Sequence, residues 1–538
     1  MKKIVITLGL IMAVFTSCHD NLDLDPISEI TPDTFFNDLD EVEIAVNGMY
    51  NVFRAQYHQF YIKITDHGSH VGTNNLNNYN QNLYATFSFN SADRDILTLW
   101  QSAYQGIYRS NVIINRVQEA DQGDYDDYMA EKYRNRLEAE ARFTRALLYF
   151  NMVRFFGDVP LILEERDDFE NINAPRTDSK LVYDQIIEDL QFAETHLYGP
   201  NWYTSETVDI NGEARPVIPS YDLEDFGRPT FSAAKGLLAK VYLTRASWPL
   251  NETAYFALAE EKANEVIDSN IYQLADNYHE LLSPEGERST EWLYTAQFDY
   301  DGLQAAPWGG FTNPAGNAKA IDRGFGRTSP TLQFYRKFEE QDARILSCAK
   351  GNFKANGTIA EKTNTKQWRS YKYRFSTMPV SRFRTDMNAP ILRYADVLLM
   401  HAEAAAQNGN LDDAVVSLNK VRARARSFGS SLDASSYGAA PADIVSTPAQ
   451  EELLDIIFWD RAKELCFEGH SRFDLVRAGE ERFMEELTSQ TFMNNINNPD
   501  TEKPAPWIVN VNTNRMILPI PESEVSANTA MEQNPGYN

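Results

Sequence analysis

Cysteine is scarce in this chain of 538 residues, which has three: Cys18, Cys348 and Cys466. Exported proteins that depend on disulfides are usually cysteine-rich for their size, so the sequence indicates no disulfide framework. Cys466 lies in the apolar pattern ELCFEG, and we expect it to be a core thiol rather than a reactive one. Cys18 lies near the start of the chain and needs a separate explanation.

Long apolar runs are also missing, with one exception. Residues 4–15 are almost entirely apolar and follow a basic segment at residues 1–3. Such a run fits the ~7–15 residues of a signal-peptide core and is short of the ~20 needed to span a bilayer. With small residues before Cys18, the pattern resembles a bacterial lipoprotein signal. We therefore predict a signal peptide over residues 1–17 and a lipidated N-terminus with a tether over residues 18–36.

Positive charge is in deficit. The chain has 50 Lys and Arg against 77 Asp and Glu, which gives a net charge of −27. Nucleic acid and anionic lipid surfaces attract local excesses of cationic side chains, so the composition argues against both as partners.

Catalytic motifs are absent as well. The sequence has no G-x-S-x-G, H-E-x-x-H or Walker-type loop. With so many carboxylates, a pair at any chosen separation carries no information about glycosidase activity. We predict a protein that is not an enzyme and has no cofactor. The acidic stretch DQGDYDD at residues 121–127 leaves a structural calcium ion open, but it lacks EF-hand ligand spacing, which favours a solvated loop between helices.

Apolar residues at helical spacing fill much of the chain. Gly157, with Pro160 shortly beyond, is a typical helix stop. Helical pairs are predicted for RNRLEAEARFTRALLYFNMVRFF with LVYDQIIEDLQFAETHL, TFSAAKGLLAKVYLTRA with AYFALAEEKANEVID, ILRYADVLLMHAEAAAQNG with NLDDAVVSLNKVRARA, and ELLDIIFWDRAKELCFEG with RFDLVRAG.

Within these pairs, apolar residues repeat with a spacing of four and then three. The residues are Leu398, Ala402 and Ala405; Ala414, Leu418 and Val421; Ile186, Leu190 and Ala193; and Ala259, Ala263 and Val266. This spacing matches a tetratricopeptide unit, in which small residues let antiparallel helices approach. The predicted fold class is mainly all-α, with tetratricopeptide-like helical repeats separated by long irregular inserts.

Several motifs together resemble the SusD/RagB family of surface nutrient-binding lipoproteins. They are RFTRALLYFNMVRFFGDVPL, ILRYADVLLMHAEAAAQNG, LNKVRARA, RAKELCFEGHSRFDLVRAGE and ILPIPESEVSANTAMEQNPGY. The resemblance implies one SusD-like domain over residues 37–538, with an N-terminal part to about residue 230 and a C-terminal part from about residue 231. It further implies an irregular ligand-binding half and a SusC-like, TonB-dependent outer-membrane transporter as partner. The expected location is the outer membrane, lipid-anchored and facing the extracellular side.

Charged residues within the helical motifs are predicted to be structural. We interpret Arg393, Asp396 and Glu403 as part of an ion-pair network between packed helices rather than as catalytic groups. Charges three to five residues apart on one helix are expected to pair along it. These residues are Glu138, Glu140, Arg142 and Arg145.

A sugar site needs an aromatic platform and polar side chains that match hydroxyl groups. The first of four candidate stretches is TDHGSHVGTNNLNNYNQNLYATFSFNSADRD, for which a polar surface loop and hairpin is the alternative. Its candidate ligand residues are Asp66, Asn74, Asn75, Tyr79, Tyr84 and Arg94. On the helix that follows, Trp100 is expected to pack in the core.

The second stretch, WLYTAQFDYDGLQAAPWGGF, predicts a short strand with one buried face, followed by a loop that carries Tyr300 and Trp308. Trp308 is the leading candidate for a stacking platform. The third stretch, YGPNWYTSE, contributes Trp202 and Tyr203, which could instead cover the core. The fourth, KQWRSYKYRFSTMPVSRFRT, contributes Trp368 and could also face the transporter or pack on acidic helices.

These features favour a binding protein that captures oligo- or polysaccharide at the cell surface and delivers it to the transporter. A RagB-like lipoprotein that captures peptides and a tetratricopeptide-type scaffold for protein interactions are the alternatives. The aromatic and Asn-rich inserts favour a sugar site over a scaffold, because a scaffold does not need such inserts and a sugar site does. Peptide cargo remains open.

Overall fold

The computed structural model describes residues 35–74, 83–165, 173–210, 213–298, 326–348, 351–353, 359–373, 387–427 and 438–537. The helices are α1 Leu39–Met49, α2 Val52–Gln56, α3 Gln59–Ile62, α4 Arg94–Arg116, α5 Asp127–Phe156, α6 Ser179–His196, α7 Phe231–Ala246, α8 Tyr255–Asp268, α9 Tyr278–Leu281, α10 Leu332–Arg336, α11 Tyr394–Gln407, α12 Leu411–Ala425, α13 Gln450–Leu465, α14 Ser471–Arg477, α15 Glu480–Thr488 and α16 Glu522–Ala527. A π-helical turn, Lys63–His67, continues α3.

Strands are short, and the protein is mainly α-helical, as predicted. They are β1 Gly72–Asn74, β2 Thr207–Ile210, β3 Glu213–Pro216, β4 Trp292–Ala296, β5 Thr328–Pro330, β6 Gly351–Phe353, β7 Ile359–Glu361, β8 Ala389–Arg393, β9 Thr491–Met493 and β10 Glu502–Pro504. Among the described residues, the strands form two-stranded antiparallel ladders: β1 with β5, β2 with β3, β4 with β8, β6 with β7 and β9 with β10.

The longest helix, α5, shows how local sequence sets the boundaries. The Asp126 side chain accepts a hydrogen bond from the Met129 backbone N–H (3.0 Å), which caps the first turn. The helix ends at Phe156 because Gly157 adopts a φ of 72°, a conformation that side chains other than glycine's disfavour. The predicted stop at Gly157 is confirmed.

The predicted helical pairs are present as α5 with α6, α7 with α8, α11 with α12, and α13 with α14. Successive pairs also pack on one another, because α6 contacts α7, α8 contacts α11, and α11 contacts α13. The residues with four-then-three spacing all lie at these seams and are at most 1% exposed. We call α5–α8 and α11–α14 the helical-repeat region. Trp100 and Cys466 are buried, as expected.

One prediction for the second stretch is wrong in part. The strand is present as β4, but it is buried on both faces rather than one. On one face, Leu293 approaches α7 so closely that a Cβ on Gly236 would lie 2.9 Å from its side chain. On the other, the Tyr294 ring packs against Phe143 of α5 at 4.9 Å between ring centroids. Helices cover both sides of the ladder of β4 and β8.

The predicted ion-pair network is confirmed around Arg393, which is 1% exposed. Its guanidinium contacts the carboxylates of Glu291 (2.8 Å), Glu464 (2.7 Å) and Glu468 (2.8 Å). Burial alone would raise the pKa of the Glu464 carboxyl, but Arg424, Arg393 and other cations hold this pKa well below its usual range. The cluster joins β8, α12 and α13.

The charges on α5 pair partly as expected. Arg142 pairs with Glu138 on the same helix at 2.7 Å, as predicted. Arg145 instead reaches across to Asp189 on α6 (2.7 Å), because its side chain lies in the seam between the two helices.

Candidate functional site

Two of the four candidate stretches, the first and the fourth, meet at one pair of strands. β1 belongs to the first stretch and pairs with β5, with Asn74 opposite Thr328. The described start of the second stretch forms β4, which pairs with β8 instead. The fourth stretch joins through Ser370, whose backbone N–H donates to the Thr328 carbonyl (2.9 Å). We call β1, β5 and Trp368–Ser370 the strand junction.

Side chains reinforce the strand junction. The His67 ring lies 2.9 Å from the Thr328 hydroxyl, and the Thr331 hydroxyl donates to the His70 carbonyl (2.7 Å). The Ser329 hydroxyl donates to the Trp368 carbonyl (2.7 Å). All six residues are buried, so the junction is a floor rather than a binding surface in its own right.

Asp66, a predicted ligand residue, lies in the interior and is 0% exposed. Its carboxylate accepts hydrogen bonds from the backbone N–H groups of Phe467 (3.0 Å) and Gly469 (3.0 Å) and from the Ser471 hydroxyl (2.8 Å). Burial raises the pKa of the Asp66 carboxyl to about 6, although these bonds oppose the shift. Because the protein supplies its donors, Asp66 fixes the π-helical turn onto the turn between α13 and α14 and does not present itself to a ligand.

Three further predicted ligand residues are also structural. Trp368 is 0% exposed, and its indole N–H donates to the Lys362 carbonyl (2.9 Å). Tyr84 is buried and its hydroxyl donates to Asp93, the N-cap of α4 (2.9 Å). Asn74 is buried at the end of β1. Their burial leaves no exposed face on which a sugar could stack or bond.

The remaining predicted residues of the first two stretches divide as follows. Arg94, the first residue of α4, is exposed to solvent. Asn75, Tyr79, Tyr300 and Trp308 lie outside the described residues. Their roles stay predictions, as does lipidation of Cys18, which also lies outside the described residues.

The third stretch lies at a separate cleft. Trp202 is 36% exposed, its indole N–H donates to the Ile271 carbonyl (3.2 Å), and its ring packs edge-on against Tyr272. Tyr203 is half-buried against Phe231. The cleft beside Trp202 is lined in part by β4, and none of its lining residues belongs to the strand junction.

Sequence reasoning missed the segment Phe226–Arg228, which separates this cleft from a neighbouring cavity of about 400 Å³. Arg54 and Gln297 line the second cavity. Gly227 has a φ of 103°, which lets the segment turn between the two spaces. The glycine and proline in YDLEDFGRP indicated a turn there but gave no sign of what it borders.

The acidic stretch at residues 121–127 connects α4 and α5 and is largely exposed. Its carboxylates bond to the protein, since the Asp121 side chain accepts from the Gly123 N–H (2.8 Å) and Asp126 caps α5. No cluster of three or more His, Cys, Asp or Glu side chains suited to a metal ion occurs among the residues that the structure describes. In the same residues, no helix has the length and apolar character needed to cross a membrane.

Sequence comparisons match two families at the two ends of the chain. The sequence model described as "SusD family" matches residues 333–537, and the one described as "Starch-binding associating with outer membrane" matches residues 20–209. Together the matched segments cover more than half of the chain. This chain belongs to the SusD family.

Curated relatives span most of the chain. A SusD-like protein from Formosa agariphila is 25% identical over 524 residues, covering 89% of this chain and 90% of the relative. The starch-binding protein SusD from Bacteroides thetaiotaomicron is 23% identical over 474 residues, covering 77% of this chain and 75% of the relative.

Solved structures share the fold. The crystal structure of a SusD homologue from Bacteroides thetaiotaomicron superposes with a TM-score of 0.74 at 21% identity, covering 94% of this chain and 98% of the other. A structure with a xylogluco-oligosaccharide has a TM-score of 0.69 at 21% identity, covering 91% and 97%. A laminarin-binding SusD-like protein has a TM-score of 0.67 at 23% identity, covering 93% and 100%.

Proposed function

We propose that this SusD-family protein captures oligo- or polysaccharide at the cell surface and delivers it to a SusC-like, TonB-dependent transporter. Relatives support the ligand class, since one is named as starch-binding, one as laminarin-binding and one was solved with a xylogluco-oligosaccharide. None of these names describes an enzyme, and we propose a binding role without catalysis.

The proposal rests on the contact of the first and fourth candidate stretches at the strand junction, where β5 follows the second stretch in the chain. Asn74 is the last described residue before the segment with Asn75 and Tyr79, and β5 follows the segment with Tyr300 and Trp308. Pairing of β1 with β5 brings the ends of these segments together. An aromatic platform and amide side chains from two segments could then contact the same sugar chain.

The chemistry of these residues fits a neutral glycan. Aromatic rings stack on the apolar faces of sugars, and by analogy with nucleic-acid bases each ring contributes about 1–3 kcal/mol. Asn75 and Arg94 would supply donors and acceptors for hydroxyl groups. We assign Trp308 as the principal platform. Trp202 and Tyr203 are proposed as a second, weaker contact, because they lie in a separate cleft.

The proposed test of ligand class uses the protein from Asp20 onwards, without Cys18. Affinity electrophoresis against plant, host and microbial polysaccharides should show retardation by one glycan class. Bovine serum albumin, run in the same gels, controls for sieving. Retardation by no glycan in the panel would contradict a glycan function.

We further propose that lipid on Cys18 holds the protein at the outer membrane beside its transporter. Several acyl chains bind a membrane durably, since each buried methylene contributes about 0.8 kcal/mol. The variant Cys18→Ala should move from the membrane fraction to the soluble fraction. Cys466→Ala, which removes a buried thiol instead, should stay with membranes. Membrane retention of Cys18→Ala would contradict lipid anchoring.

A further inference from the structure

A large cavity lies in the helical-repeat region, away from the candidate sugar stretches. It has a volume of about 910 Å³ and opens where several helix ends meet. Its walls are the loop after α7, the C-terminal end of α11, the first half of α13 and the turn between α14 and α15. We call this cavity the repeat groove.

Ion pairs neutralise the floor of the repeat groove. Arg477 contacts Glu403 (2.7 Å) and Asp474 (2.9 Å), and all three side chains are at most 14% exposed. These charges are used within the protein, so the floor offers little net charge to a partner.

The rim, in contrast, carries surplus negative charge. Glu451 and Glu452 are exposed in the first turn of α13. Asp455 pairs with Arg482 (2.7 Å), but its side chain remains 54% exposed. Three carboxylates therefore face solvent beside one partly buried cation, so the groove favours a cationic occupant.

Apolar side chains lie between these charges. Glu451, Leu454, Asp455 and Phe458 occupy positions i, i+3, i+4 and i+7 of α13 and therefore share one face, and all four line the groove. Leu454 and Phe458 are only partly buried, and Trp248 across the groove is also partly exposed. The wall thus alternates acidic and apolar groups along one helix.

We propose that the repeat groove binds a segment of a partner protein that carries Lys or Arg side chains next to apolar ones. The volume is sufficient for several side chains, and grooves between helices are a common way to bind amphipathic segments. Nucleic acid and anionic lipid would be repelled by the rim. The site uses none of the strand-junction residues, so it goes beyond the proposed sugar binding and does not depend on it.

The test uses fluorescein-labelled synthetic peptides and the protein from Asp20 onwards, in fluorescence polarisation at near-physiological salt. The probe KLAKFLKA combines cationic and apolar residues, KSAKSSKA keeps the positive charge without the large apolar residues, and ELAEFLEA keeps the apolar residues but reverses the charge. Saturable binding of KLAKFLKA alone is expected. Equal binding of KSAKSSKA would mean that net charge alone explains the interaction, and it would overturn the proposal. Failure of all three probes to bind would also overturn it.

Matched charge variants test whether KLAKFLKA binds in the repeat groove. Glu451→Gln/Glu452→Gln/Asp455→Asn should weaken binding of KLAKFLKA about tenfold, because partly exposed ion pairs each contribute modestly. The control Glu119→Gln/Asp124→Asn/Glu131→Gln removes the same charge from exposed positions outside the groove and should change the affinity less than about twofold. An equal loss in both triple variants would overturn the proposal.

If the triple variant does not fold, a variant that partly fills the repeat groove tests whether the probe binds there. Gln407 is an exposed residue at the end of α11 that lines the groove. Gln407→Trp fills part of the space without changing charge and should weaken the probe, whereas Gln407→Ala should not. Unchanged affinity in a folded Gln407→Trp protein would contradict binding in the groove.

Discussion

The buried carboxylate Glu464 in the helical-repeat region faces arginines, whereas Asp66, a buried carboxylate beside the strand junction, faces N–H and O–H donors. Glu464 lies against Arg393 and Arg424, which lower its pKa. Asp66 lies against the backbone of Phe467 and Gly469, and burial raises its pKa to about 6. The two regions should therefore respond to pH in opposite directions.

The partners of the buried carboxylates differ because the two regions connect different kinds of structure. Helix pairs present long side chains across a seam, so arginines can reach acids on the next helix. The contacts at and beside the strand junction join segments about 260 to 400 residues apart. The His67 ring contacts the Thr328 hydroxyl, and the Phe467 backbone N–H donates to the Asp66 carboxylate. The short Asp66 side chain can accept hydrogen bonds from the backbone of such a turn. Among the ion pairs of the described residues, none includes Asp66.

The largest effect is expected from Arg393→Met in the helical-repeat region. Loss of this cation leaves Glu291, Glu464 and Glu468 buried with fewer partners, and the free energy of unfolding should fall by about 3–5 kcal/mol. Urea denaturation measures it. Arg336→Met breaks an exposed pair with Glu502 and should cost less than about 1 kcal/mol. Similar losses in both variants would contradict a dominant buried network.

The contribution of the Glu464–Arg393 ion pair to the free energy of unfolding should change with pH in a defined direction. The pKa of Glu464 is lower in the folded protein than its ordinary value of 4.5, so its stabilising contribution is present above about pH 4.5 and is lost as pH falls. The difference in unfolding free energy between wild type and Arg393→Met should therefore shrink in acid. A difference that grows in acid would contradict this assignment.

A smaller effect of opposite sign is expected at the strand junction. The pKa of Asp66 rises from 3.8 to about 6 on folding, so its contribution is full below about pH 3.8 and is lost as pH rises through 6. The stability of wild type relative to Asp66→Asn should fall by up to about 3 kcal/mol between pH 4 and 6.5. Asp500→Asn, at an exposed position, controls for the amide. A difference that does not change with pH would contradict the raised pKa.

The smallest effect on stability is expected from Trp308→Ala, which should change sugar affinity instead. Loss of the proposed platform should weaken binding by about 1–3 kcal/mol and leave the melting temperature unchanged. Isothermal titration calorimetry with the glycan found by electrophoresis measures it. The control Tyr108→Ala removes an exposed aromatic ring on α4 and should bind as wild type does. Unchanged affinity in Trp308→Ala would remove Trp308 from the site.

The helical-repeat region was predictable from sequence because periodicity reports burial within a helix. Ile186, Leu190 and Ala193 are buried where their spacing placed them. The ion pairs were predictable as a class, but the partners of Arg393 were not, since Glu291 and Glu464 lie far away in the chain.

The strand junction was not predictable in the same way. A polar or aromatic residue in an irregular stretch has the same sequence signature whether it is buried or exposed. Asp66 and Trp368 therefore looked like ligand residues, although the first bonds to a turn about 400 residues away and the second fills the interior. Only the three-dimensional contacts separate residues that build the floor from those that can contact a ligand.

Hydrogen–deuterium exchange with and without the bound glycan tests whether sugar is held by the segments that adjoin the strand junction. We expect slower exchange in peptides that cover β1, β5 and residues 368–373, with little change in α13. Protection confined to the Trp202 cleft or to the repeat groove, with the strand junction unchanged, would contradict it.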